Sequence, residues 1–359
     1  MKKYISLFVS SILTLFISTS CLSSKDEKVS HKPSNVVLLI GDGMSIPQVY
    51  AAMLTSENPT SFERFPVPGL AKTYSKSHKI TDSAAGGTAI ATGNKTNNGM
   101  IGMNADSIPV PSILDILSEK GLKTGVIATS YITHATPASF VAKNINRNNY
   151  EEIAMDFAKS DKVDILIGGG RKHFAERKDG LNLIEEMVSE GWKYYDTLFN
   201  VDANDDKIMV LADDSHLPAY PSRGEFLPNA TAIALENLSQ SESGFFLMVE
   251  GSQIDFAAHN SDSTHLVNEM YDFDNTINKV LDFAEKDGNT LVIVTADHET
   301  GGLTMIDPNG CYTETYFKFS TGSHSPLLVP VFAYGPGSED FSGIMENTDI
   351  IKKILNTMK

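Results

Sequence analysis

The stretch Val36-Val37-Leu38-Leu39-Ile40-Gly41-Asp42-Gly43-Met44 is an apolar run that stops on a glycine, an acid and a second glycine. A short apolar run with no polar alternation is the pattern of a strand covered on both faces, as in a mainly parallel sheet. The pattern recurs downstream. Thr124 to Ala128 leads into Thr129-Ser130, and Val163 to Ile167 into Gly168-Gly169-Gly170. Phe245 to Val249 leads into Glu250-Gly251, and Leu291 to Val294 into Thr295-Ala296-Asp297-His298. Helical spacings lie between them: Ile113, Leu114, Ile116 and Leu117 within Ser112 to Lys120, and Val267, Met270, Phe273, Ile277, Val280 and Leu281 within Thr264 to Lys286. Buried strands alternating with helices predict an α/β fold, a doubly wound three-layer sandwich around a mainly parallel central sheet. The stretch from Arg171 to Leu227 is less regular and reads as a helix, a connection and surface loops. In such sheets ligands bind beyond the carboxyl ends of the strands. Here those ends carry Asp42, Glu250, Asp297 and His298.

The chain has 359 residues, 41% of them hydrophobic, enough for one large α/β domain. Met1-Lys2-Lys3, an apolar run from Tyr4 to about Ile17 and then Ser18-Thr19-Ser20-Cys21 read as a signal peptide over 1–20, with a lipid on Cys21. The site is similar to a lipobox with Ser18 in place of the usual leucine. Residues 21–34 then form a lipidated cysteine and flexible tether, and 35–359 the folded domain. This predicts an exported protein, periplasmic or on the cell surface, held to the membrane through its lipid. The formal charge is −16, and loss of Lys2 and Lys3 with the leader makes it more negative still. Such a surface argues against a nucleic-acid-binding role. Of the two cysteines, Cys311 has no intramolecular partner once Cys21 carries lipid, so a disulfide framework is excluded.

Metal-binding residue types gather at the predicted strand ends. Glycines on both sides of Asp42 let the backbone turn and the carboxylate point outward, although such an acid can equally cap a helix. Asp255 and His259 are four apart, so on a helical turn they share a face and can grip one cation. Asp297 and His298 can converge only where the chain turns at a strand end. His324 is a lone loop histidine, weak by itself. Asp42, Asp255 and Asp297 with His259, His298 and His324 offer the mixed nitrogen and oxygen donors that suit zinc. Glu250, Asp42 and Thr136 are harder donors that suit magnesium. Ser83, in Thr81-Asp82-Ser83-Ala84-Ala85-Gly86-Gly87, opens a run of small residues expected to start a helix, where free N–H groups favour an anion. It is a candidate nucleophile, while it or Asp82 can also serve as the N-cap.

Gly41-Asp42-Gly43-Met44, Thr81-Asp82-Ser83-Ala84-Ala85, His134-Ala135-Thr136-Pro137, Val249-Glu250-Gly251, Asp255 with His259, and Thr295-Ala296-Asp297-His298 stand in the order found in alkaline phosphatases. The chain resembles that family from about Val36 to its C-terminus. The resemblance implies hydrolysis of phosphate monoesters through a phosphoserine intermediate at a two-zinc plus magnesium site. Asp255, His259 and His324 would bind the first zinc. Asp42, Asp297 and His298 would bind the second, with Ser83 Oγ as a further ligand, and Asp42 would also reach a magnesium held by Glu250 and Thr136. Arg147 would clamp two phosphate oxygens. A homodimer is a further family expectation.

The chain also departs from relatives. His134 stands where the best-known bacterial enzyme has aspartate and mammalian-type enzymes have histidine, which implies contact with a magnesium-bound water rather than with the metal itself. Phe256 replaces a lysine or histidine, removing a positive charge near the phosphate. The crown-like insertion of mammalian-type enzymes is expected to be reduced. Ser83-Ala84-Ala85-Gly86-Gly87 lacks the context a sulfatase nucleophile needs, and Glu250, Thr136 and Arg147 favour monoesters over diesters.

Overall fold

The computed structural model describes residues 32–306 and 316–358. The predicted leader, Cys21 and Cys311 lie outside the described residues. The strands are β1 (Asn35–Gly41), β2 (Val67–Lys72), β3 (Lys123–Tyr131), β4 (Ile165–Gly169), β5 (Lys193–Tyr195), β6 (Ile208–Leu211), β7 (Phe245–Gly251), β8 (Thr290–Thr295), β9 (Glu299–Thr300), β10 (Leu303–Ile306), β11 (Tyr316–Phe319), β12 (His324–Ser325), β13 (Val329–Tyr334) and β14 (Gly343–Glu346). Ten of them form one sheet in the order β14-β2-β13-β8-β1-β7-β3-β4-β6-β5. Within it β13 runs antiparallel to both its neighbours, and every other pairing is parallel. The predicted α/β class with a mainly parallel sheet is therefore correct.

Every residue of β1, β7 and β8 is buried. Side chains alternate between the faces of a strand, so complete burial means that both faces are covered. Each enclosed Val, Leu or Ile of β1 contributes about 1.5–3 kcal/mol of hydrophobic stabilisation. The register then levels the strand ends, since Ile40 of β1 pairs with Glu250 of β7 on one side and Thr295 of β8 on the other. Asp42 lies two residues beyond Ile40 and Asp297 two beyond Thr295, so three acids leave the sheet at one height.

Helix Ser263–Asp287 starts at Asp262, whose side chain accepts from His265 N–H, and stops at Gly288 in the left-handed conformation (φ 72°). Helix Ser83–Thr92 is wholly buried and, apart from Ile90, made of small residues. Between the two readings of its start, Asp82 proves to be the N-cap: its side chain accepts from Ala85 N–H, so the Ser83 hydroxyl is not engaged in the cap. Two expectations need correction. The strand placed at Val163 to Ile167 begins two residues later, at Ile165. The stretch from Arg171 to Leu227, read as lacking strands, contributes β5 and β6 to the sheet. Among the described residues no helix is long and apolar enough to cross a membrane.

Candidate active site

The sequence-predicted residues converge at the carboxyl ends of β1, β7 and β8. Gly43, at φ 75°, turns the chain after Asp42; a Cβ there would meet Thr300 Oγ1 at 2.8 Å and Asp255 Cα at 3.0 Å. Asp255 and His259 both lie on helix Gln253–His259, directly after β7. Ser83 Oγ lies 3.1 Å from His298 Nε2. That same nitrogen is 3.2 Å from Asp297 Oδ2 and 3.4 Å from Asp42 Oδ1.

Three imidazoles are held in one tautomer by their outer nitrogens. His259 Nδ1 donates to the Gly322 carbonyl (2.9 Å) and His324 Nδ1 to the Thr81 carbonyl (2.8 Å). Thr300 Oγ1 donates to Asp255 (2.5 Å), so it accepts from His298 Nδ1 at 3.2 Å. Each Nε2 therefore turns a lone pair inward. His259 Nε2 and His324 Nε2 face each other at 3.2 Å, beside Asp255 Oδ1 at 3.3 and 3.7 Å. Acceptors brought this close repel one another unless a cation lies between them. Nothing in the sequence around Thr300 marks it as a site residue, because it acts by orienting two other side chains.

The second anomaly is a set of buried polar atoms without hydrogen-bond partners. Among the described residues these include both carboxylate oxygens of Asp42 and of Glu250, Asp297 Oδ2, Thr136 Oγ1 and His134 Nδ1. An unpaired buried carboxylate is costly, and coordination to a metal removes the cost. Candidate ligand atoms cluster within 4.8 Å of one another in three groups: Asp255, His259 and His324; Asp42, Asp297 and His298; and Asp42, His134 and Glu250. The donor sets thus fit divalent cations. Burial, followed by the charges of Asp297, Asp255 and Glu250, holds the Asp42 carboxyl well above the usual range, against the pull of Arg147. Burial pushes Glu250 up to about 8 and also raises Asp297. Burial, then the charge of His324, holds His298 well below its ordinary value, so it is neutral.

Arg147, with its side chain 20% exposed, donates to Asp82 Oδ2 (3.2 Å) and to His134 Nε2 (3.3 Å). Since His134 Nε2 accepts, the proton of this ring sits on Nδ1, which is buried without a hydrogen-bond partner. Burial, then Arg147, keeps His134 neutral by lowering its pKa well below the ordinary value. Phe256 packs edge-on to His134, with ring centroids 5.8 Å apart.

Inward-facing imidazoles, unpartnered carboxylates and a buried hydroxyl against one of those imidazoles define a metal-dependent hydrolase. The model of the family described as alkaline phosphatase matches residues 33–318. Alkaline phosphatase 4 of Bacillus subtilis is 34% identical, covering 97% of this chain and 96% of the relative, and alkaline phosphatase 3 of the same organism is 33% identical, covering 90% and 89%. Among solved structures, the alkaline phosphatase of the Antarctic bacterium TAB5 is 45% identical with a TM-score of 0.88, covering 91% of this chain and 98% of that one. A TAB5 variant with magnesium bound in its M3 site gives 44% and 0.87, with the same coverage. The chain belongs to the alkaline phosphatase family and is a hydrolase of phosphate monoesters.

Proposed function

We propose that Ser83 is the nucleophile of this phosphatase and Arg147 its phosphate clamp. Asp255, His259 and His324 hold one zinc ion, and Asp42, Asp297 and His298 a second. Asp42, Glu250 and Thr136 hold a magnesium ion, the counterpart of the magnesium bound in the M3 site of the TAB5 variant, and His134 stands beside it without ligating. The observation that carries this reading is the convergence of unpartnered buried acceptors around the Ser83 hydroxyl. Cations bound there supply Lewis acidity, which lowers the pKa of an oxygen nucleophile and offsets phosphoryl charge.

The residues of the chain do the rest. Ser83 is the first residue of a buried helix, where free N–H groups favour the anion formed when its proton leaves. Its oxygen attacks phosphorus in line, the bond to the alcohol oxygen breaks, and a phosphoserine forms. Water then cleaves the phosphoserine, releasing inorganic phosphate and restoring Ser83. The planar guanidinium of Arg147 matches two phosphoryl oxygens, and Asp82 fixes its orientation. His134 offers its Nδ1–H toward the magnesium pocket.

The test compares p-nitrophenyl phosphate with bis-p-nitrophenyl phosphate, using the holoenzyme, chelated protein and protein restored with zinc and magnesium. Monoester preference that is lost on chelation and regained only with both metals is the expected result. Preference for the diester would overturn the roles of Arg147, Thr136 and Glu250. Ser83→Ala should abolish the phosphoserine and cut turnover by about three or more orders of magnitude; full turnover in that variant would remove Ser83 as nucleophile. We also propose the division into a 1–20 signal peptide, a lipid-bearing 21–34 tether and a 35–359 catalytic domain, export to the periplasm or cell surface, and a homodimer. Mass spectrometry of the mature N-terminus tests the lipid, and light scattering tests the dimer.

A further inference from the structure

The sheet continues past the metal-ligand basin through β3, β4 and β6, and a second group of polar side chains lies beyond the ends of these strands. Tyr131 closes β3, Lys172 follows β4, and His216 lies in the loop after β6. Together they form one column. Tyr131 stacks on His216 with centroids 3.6 Å apart, and the Lys172 ammonium lies 4.8 Å from the Tyr131 ring centre. The column begins beside the phosphoryl site. The His216 ring is 5.7 Å from the ring of His134, which bonds Arg147, and 4.9 Å from Phe256. It is also firmly held. The Leu217 carbonyl accepts from Gln253 Nε2 (2.7 Å), on the helix that carries Asp255, and Leu217 N–H donates to the Thr129 carbonyl (3.2 Å).

The chemistry of the column is one-sided. Tyr131 N–H donates to His216 Nδ1 (3.0 Å), so in the neutral ring the proton is on Nε2, which has no protein partner among the described residues. Lys172 Nζ donates to Tyr131 Oη (3.0 Å) and Ser215 Oγ (3.4 Å), so both hydroxyl protons remain free to donate. Among the described residues Lys172 has no carboxylate at ion-pair distance. The neighbouring acids are engaged elsewhere, Asp213 with Ser215 N–H (2.8 Å) and Asp214 with Arg171 (2.6 Å). The charges of Asp213 and Asp214 lie close enough to act on His216 and Lys172, but the column itself is a row of donors ending in a cation, the chemistry that suits an anion.

We propose that Tyr131, His216 and Lys172 form a leaving-group subsite, which favours phosphate monoesters whose alcohol carries a second anionic group. The inference rests on the assignment of Ser83 and Arg147 to the phosphoryl site, and it gives Lys172 and the Tyr131 hydroxyl a specificity role. The matched probes are 3-phosphoglycerate and glycerol 3-phosphate, which differ by a carboxylate in place of a hydroxymethyl group. Lys172→Met should lower kcat/KM for 3-phosphoglycerate about tenfold, mainly through KM, and leave glycerol 3-phosphate within about twofold. Lys172→Arg should restore most of the difference. Tyr131→Phe, which keeps the ring stack, should shift the ratio in the same direction. Equal losses on both substrates would mean that Lys172 serves only the packing of Tyr131, and an unchanged ratio in both variants would equally overturn the subsite. If Ser83→Ala is inactive while the ratio does not move, the subsite alone fails. If Ser83→Ala stays active, the underlying site assignment fails first.

Discussion

Phe256 brings an uncharged ring to the edge of the site. Its ring lies against His134 and His216, where relatives are expected to place a lysine or histidine. A cation beside bound phosphate strengthens product binding as much as substrate binding. Phe256→Lys should therefore lower the inhibition constant of inorganic phosphate about tenfold and slow turnover where product release limits it. An unchanged constant would remove Phe256 from any role in product release. Residues such as Ser83, Asp42 and His298 were legible in the sequence because each sits in a short motif whose local spacing already implies chemistry. Asp82 and Thr300 were harder to read, since they act by orienting Arg147, Asp255 and His298 across the fold. Tyr131, Lys172 and His216 share no motif, and only the order of β3, β4 and β6 brings them together.

Among the elements, helix Ser83–Thr92 depends on how closely it can approach the end of β8. A Cβ on Gly86 would lie 2.8 Å from the Asp297 carbonyl oxygen and 3.1 Å from the Asp297 Cβ. Alanine is the better helix former by about 1 kcal/mol, yet the clash with backbone outweighs this. Gly86→Ala should push the helix and Ser83 away from Asp297 and His298. The expected result is at least about a tenfold loss of kcat, since small misplacements near the chemistry are costly, together with faster loss of bound metal on dialysis. Wild-type kcat and metal retention would show that the helix has room to spare. The long helix and β1, β7 and β8 were legible because strong periodicity or unbroken apolar runs define them. Lys193–Tyr195 and Ile208–Leu211 are not legible, because strands of three or four residues leave too little pattern to distinguish from loop.

For the whole molecule, the buried acids tie stability to pH when metal is removed. Glu250 rises to about 8 in the metal-free fold, so the folded state holds that proton more tightly than the unfolded chain. Its stabilising contribution is complete below the ordinary value of 4.5 and is lost as pH climbs through about 8. Asp42 and Asp297 are raised in the same direction. The melting temperature of chelated protein should therefore fall between about pH 5 and 8, while the holoenzyme changes little over that range. A flat profile after chelation would mean that these acids stay charged in the metal-free fold. The cation pockets also gather residues from far apart in the chain, joining Asp42 at the start of the domain to Asp297 and His298, and Asp255 and His259 to His324. An ion bound in either pocket acts as a rivet closing a long loop, the role disulfides take in many exported proteins. With two cysteines in the sequence, at most one disulfide is available, and the rivets are ionic: chelation loosens them, added metal resets them, and the redox state of the surroundings leaves them untouched.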